Sequence, residues 1–243
     1  GGTRRSSDNN AGVSADPSDA EKRASVRLEL AGGYFSRGQF NTALDEIKLA
    51  LAAKPDMGAA YNMRGLVYAA MGEERLAEES FERAMSLNPR DADAMHNRAW
   101  FKCQRGEYDD ADRLFEQAIA TPQYRDLARS LMAQGICFAR AGRMVPAEQK
   151  LLRAYEIDPA NPTTAYNLAD VLYRRSELER ARFYVRRIND NDELSNAQTL
   201  WLAARIENRA GNRNAVESFG RQLRARFPQS REAQAYDSGR FNE

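Results

Sequence analysis

"AMSLNPRDADAMHNRA", Ala84 to Ala99, and "AYEIDPANPTTAYNLA", Ala154 to Ala169, are written to one plan. Each runs from an apolar, helix-like segment into a proline and back into an apolar, helix-like segment. Proline has no amide proton and its ring clashes with a continuing helix, so each phrase reads as a joint between two helices. The joint recurs along the chain. Pro55 and Pro89 lie 34 residues apart, and Pro159 follows 70 beyond Pro89. Gly38, Gly72, Gly106 and Gly142 keep the same beat. So do Ala43, Ala77, Ala111 and Ala147, then Ala50, Ala84, Ala118 and Ala154.

This period, with these residue types at fixed offsets, resembles the tetratricopeptide repeat, two antiparallel helices per unit. With the late proline counted as position 32, repeats start at Ala24, Gly58, Ala92, Ala128, Pro162 and Ala197. Positions 4, 7, 8 and 11 share one face of the first helix. In the second repeat these are Tyr61, Arg64, Gly65 and Tyr68, and Gly65 leaves room for the second helix to approach. That second helix presents Ala77, Phe81 and Ala84 on one face. Gly72 suits a left-handed cap between the two. One such hairpin cannot bury its own apolar face, whereas stacked neighbours can. The expected fold is therefore an all-α tetratricopeptide-repeat superhelix of about six helix–turn–helix units.

Departures from the pattern carry their own expectations. The third repeat ends in "TPQYR", Thr121 to Arg125, and runs to 36 residues, which predicts a longer loop. The fifth has Ser176 where glycine is usual and exits through "NDNDELSN", Asn189 to Asn196. The sixth keeps Gly211 and Pro228 but has Gly220 where a bulky residue belongs. The repeats form a single solenoid domain over 20–236, with a short capping helix over Glu232 to Tyr236 and a frayed end over 237–243. Residues 1–19, poor in apolar side chains, cannot offset an ordering cost of roughly 1–2 kcal/mol per residue and are expected to be disordered. They read either as an expression remnant or as a tether, and Ser18 with Glu21 is a capping-box signal for the first helix. A chain beginning at Gly1 reads as a processed or trimmed product, any targeting peptide removed.

Composition bounds the function. Lys+Arg at 36 against Asp+Glu at 35 leaves no bulk field to recruit nucleic acid or an anionic membrane. No apolar run approaches the roughly 20 residues that span a bilayer. His96 is the sole histidine, without the companions of a zinc site or a nucleophilic triad. "NDND" lacks the glycine and distal glutamate of a calcium loop, and no Gly-rich phosphate cradle occurs. The expectation is no enzyme, no catalytic residue, no cofactor, no metal and no small-molecule substrate. Cys103 and Cys137 are not in a CxxC arrangement; two buried free thiols are the expected reading, a disulfide the alternative.

Binding is better supported. Positions 2, 5, 9 and 12 of each first helix are expected to face the inner side of such an array. They supply Asn62, Leu66 and Ala69; His96, Trp100 and Cys103; Met132, Ile136 and Ala139; Tyr166 and Tyr173; and Trp201. Of these, Asn62, Leu66, His96, Trp100, Met132, Ile136, Tyr166 and Tyr173 are the candidate partner-binding residues. They form a lightly charged groove with large anchors, suited to an extended or helical peptide. Trp100 and Ile136 as plain core residues is the alternative. The chaperone-tail class of these repeats clamps a carboxylate with Lys and Asn at positions 5 and 9, and here the third repeat has His96 and Trp100.

"LWLAARIENRAGNRNAVESFGRQLRARFPQSREAQAY", Leu200 to Tyr236, resembles the C-terminal end of the type IV pilus pilotins, lipoproteins of about six such repeats. "LELAGGYFSRGQFNTALDEIKLALAAKPD", Leu28 to Asp56, and the "TPQYRDLARS" loop are similar to that family as well, so the likeness spans roughly Ala20 to Tyr236. It implies a factor that brings the outer-membrane secretin subunit to the outer membrane and supports its multimerisation, for pilus assembly and twitching motility. It also implies a location at the periplasmic face of the bacterial outer membrane, lipid-anchored through a cysteine upstream of Gly1. No cysteine precedes Cys103, so that anchor is not in this sequence. A general protein–protein scaffold with no secretin role is the second reading.

Overall fold

The computed structural model describes residues 5–242, with side chains from Asp19 onward. Thirteen helices and no strand occur among the described residues. They fall into two compact bodies, divided between Tyr124 and Arg125. The first holds α1 (Arg5–Ser36), α2 (Phe40–Ala53), α3 (Gly58–Met71), α4 (Glu74–Leu87), α5 (Ala92–Gln104) and α6 (Tyr108–Ile119). The second holds α7 (Leu127–Arg140), α8 (Met144–Ile157), α9 (Pro162–Arg174), α10 (Leu178–Asn189), α11 (Ala197–Ala210), α12 (Arg213–Arg226) and α13 (Arg231–Asp237). Three of the expected repeats fall in each body, and within a solenoid each repeat packs on its neighbours.

The opening joints fold as their residues require. Helix α4 stops at Leu87, Pro89 sits in the turn, and the Asp91 carboxylate accepts the Ala94 N–H at 3.1 Å to start α5. Helix α8 stops at Ile157, and Asn161 Oδ1 accepts the Thr163 N–H at 2.9 Å, with Pro162 at the first helical position of α9. Within a repeat, Gly72 closes α3 in the left-handed region at φ 79°. The "NDNDELSN" exit ends in a reciprocal cap: Asn196 Oδ1 accepts the Thr199 N–H at 2.9 Å, and Thr199 Oγ1 accepts the Asn196 N–H at 2.8 Å. The predicted longer loop after α6 is present, with Gln123 left-handed at φ 59°.

Packing follows the small-residue pattern. In the first body a Cβ on Gly65 would lie 2.6 Å from the Phe81 ring, so α3 and α4 touch only because that position is bare. Phe81 is fully buried with Ala77 and Phe101. The second body centres on Leu151, Leu168, Leu172, Leu202 and Ile206, all fully buried.

One expectation is corrected at the first helix: Ser18 lies inside α1, which runs from Arg5, rather than at its N-cap; residues 1–4 lie outside the described residues. A nucleated helix extends at little cost per residue, and the nucleus here is anchored by Ala24 and Ala31 packed against Ile47. Two contacts involve residues after Tyr236. Phe241 stacks on Trp201 with ring centroids 5.2 Å apart, and Arg224 Nη2 meets Asp237 at 2.7 Å. Gly220 needs no bulky residue because the Tyr236 ring of α13 fills its place; a Cβ there would fall 1.9 Å from that ring.

The thiols form the last correction. Neither Cys103 nor Cys137 is a free thiol; both are disulfide-bonded. Their spacing carries no CxxC signature, so nothing in the sequence told an oxidised pair from two thiols.

Candidate partner-binding surface

In the first body the four candidate residues divide between exposure and core. Leu66 on α3 is half-buried against the Ala77–Phe81–Phe101 cluster, and Trp100 on α5 is half-buried at the same repeat position. Asn62 Oδ1 accepts a hydrogen bond from Asn97 Nδ2 at 3.1 Å, which ties α3 to α5. His96 is only 5% exposed and meets the Phe115 ring edge-on at 5.7 Å. It belongs to the core of its repeat, because α6 brings Phe115 over it.

In the second body Met132 and Ile136 on α7 and Tyr166 on α9 are half-buried against the central cluster. Thr164 Oγ1 donates to Met132 Sδ at 3.1 Å. Tyr173 is buried: the Arg209 guanidinium lies 4.1 Å from its ring centroid and donates to both its hydroxyl and its carbonyl oxygen. The surface residues available for contact are therefore Leu66 and Trp100 in one body, and Met132, Ile136 and Tyr166 in the other.

The groove offsets of the second body are less apolar than a search for anchors suggests. Position 9 of the fifth and sixth repeats carries Asp170 and Arg205. Burial pushes the Asp170 carboxyl above its ordinary range, against the pull of Arg174, 3.1 Å away, and of Arg205. Burial likewise pushes the Tyr166 hydroxyl up, and the Asp170 charge adds to it. Arg205 stands over the rings of both Tyr173 and Trp201, at 5.4 and 5.8 Å. Reading positions 5 and 9 through all six repeats, charged residues included, would have found this pair.

Models of the tetratricopeptide repeat match residues 58–91, 80–113 and 103–162. Residues 58–162 are thus tetratricopeptide repeats, within an all-α fold. The chain's relatives are narrower. It is similar to the type IV pilus assembly protein PilF of Pseudomonas aeruginosa, 24% identical over 211 residues that cover 87% of this chain and 83% of PilF. The crystal structure of PilW, a widely conserved type IV pilus biogenesis factor, matches it with a TM-score of 0.81 at 29% identity, over 87% of this chain and 97% of PilW. The structure of Pseudomonas aeruginosa PilF matches with a TM-score of 0.77 at 23% identity, over 91% and 99% of the two chains.

Proposed function

We propose that this chain is a type IV pilus assembly factor, a pilotin, which binds the outer-membrane secretin subunit and promotes its outer-membrane localisation and multimerisation. The observation that carries this reading is similarity to PilF and PilW over 87% of the chain, covering 83% of PilF and 97% of PilW. The protein works by binding rather than by catalysis. It acts at the periplasmic face of the outer membrane, held by a lipid on a cysteine upstream of Gly1. The oxidised state of Cys103 and Cys137 agrees with that location, since structural disulfides persist in oxidising compartments such as the periplasm.

Secretin contact is made through the half-buried apolar side chains of the inner face, Leu66 and Trp100 in one body and Met132, Ile136 and Tyr166 in the other. Large anchors of this type dominate partner binding. Trp100→Glu and Ile136→Glu should each weaken secretin binding in calorimetry by about 30-fold or more, with the far-ultraviolet circular dichroism of the free protein unchanged. Unchanged affinity removes the inner face from the mechanism. Deleting the gene should abolish heat-resistant secretin multimers on a gel; normal multimers would favour the general scaffold.

A further inference from the structure

The second helices of the fourth and fifth repeats carry an aromatic face that none of the candidate partner-binding residues shares. Tyr155 of α8 and Phe183 of α10 each meet the Tyr184 ring edge-on, with centroids 5.0 Å apart. Phe183 is 53% exposed and Val145 of α8 is 51% exposed. Val145, Leu152 and Tyr155 fall on one flank of α8 by helical spacing. The Arg187 guanidinium lies over the rings of Tyr155 and Phe183, 5.8 Å from each centroid. It has no carboxylate partner among the described residues. Toward the start of these helices Glu148 meets both Arg175 and Arg180, and Glu177 lies 3.9 Å from Arg180. The near-neutral charge of the whole chain conceals a division. The second body has 20 Lys and Arg against 15 Asp and Glu, the first 16 against 20. The aromatic face therefore sits on the cationic body, where an anionic partner is favoured.

We propose that this face docks on an anionic phospholipid surface. Phe183 and Val145 enter the boundary between headgroups and acyl chains, and Arg187 pairs with lipid phosphate. The rings of Tyr155 and Tyr184, apolar with a polar tip, suit the headgroup level. A guanidinium stacked on aromatic rings keeps its N–H edge free for phosphate oxygens. A polypeptide partner would have to fix one carboxylate opposite Arg187, whereas a layer of phosphates offers an anion at every lateral position. The contact is separate from the lipid anchor of the pilotin reading and requires neither that anchor nor the secretin. On an anchored chain it would act as the second of two attachments, the number that makes membrane binding stable.

The test uses the intact chain without acyl groups or secretin, so its failure and that of the pilotin reading are separable. Flotation is measured with phosphatidylcholine vesicles containing about one-third phosphatidylglycerol, and with phosphatidylcholine alone. The protein should float with the anionic vesicles and partition at least about tenfold less to the neutral ones. Phe183→Ser should lower partitioning to the anionic vesicles about tenfold, and Arg187→Gln about fivefold, each with the melting temperature unchanged. Arg213→Gln, at an exposed arginine of α12, should change it by less than about twofold. No flotation with the anionic vesicles, or equal flotation with the neutral ones, would overturn the proposal. An equal loss in Arg213→Gln and Arg187→Gln would overturn it too, by leaving only the overall charge of the body. Polyglutamate is the last probe. Binding to it as tight as to the vesicles, and weakened alike by Phe183→Ser and Arg187→Gln, would reassign the face to an acidic polypeptide.

Discussion

At Ser176 the backbone turns left-handed without a glycine, at φ 61°, where the equivalent turns use Gly38, Gly72, Gly106, Gly142 and Gly211. A β-carbon in that region costs about 1 kcal/mol. Ser176→Gly should therefore raise stability by about 1 kcal/mol in urea denaturation, with no change in fold. Gly65 predicts the opposite sign. Its place is bare because the Phe81 ring occupies it, so Gly65→Ala should cost about 1–3 kcal/mol by overpacking, read as a lowered denaturation midpoint. Both positions were legible, since each interrupts or completes a periodic column. Arg205 was not. A column read for apolar anchors passes over a cation, and nothing in its spacing shows that its guanidinium lies over the rings of Tyr173 and Trp201.

Between elements, the repeats are stitched by ion pairs whose polarity inverts along the chain. Glu78, at position 21 of the second repeat, meets Arg98 and Lys102 of the next first helix, the latter at 3.0 Å. Glu148, at the same offset two repeats on, meets Arg175 and, at 2.7 Å, Arg180. In the fifth repeat that offset is Arg182, and its partner at position 11 of the sixth is Glu207, bound through two 2.8 Å contacts. Burial pushes the Glu207 carboxyl up, but the bonds from Arg182 and Asn212 outweigh it and hold it below the usual carboxylate range. A depressed carboxyl adds stability above its unfolded value and loses it as pH falls through the folded one. Glu207→Gln should thus flatten the loss of stability below about pH 4.3, the ordinary glutamate value, in acid titration. Glu207→Lys alone should cost about 3–5 kcal/mol by leaving two buried cations opposed, and Arg182→Glu added to it should restore much of that loss in thermal melts. Helix α13 was legible too, within a residue or so of each end. What escaped notice was its partner, because no spacing rule links a glycine at 220 to a tyrosine at 236.

Over the whole molecule, the joints gave the architecture away. Pro89 and Pro159 punctuate it, and five of the six repeat starts coincide with helix starts to within one residue; the first, Ala24, lies inside α1. The reading failed at the cysteines, where no period operates. Their state is directly measurable: unfolded without reductant, the protein should expose no titratable thiol, and two after reduction.

The ring of Tyr236 seated on Gly220 settles what sort of neighbour α11 and α12 can accept. A seventh helix pair docking there would first have to evict that aromatic plug, so this face resists being lengthened by another module of the same kind.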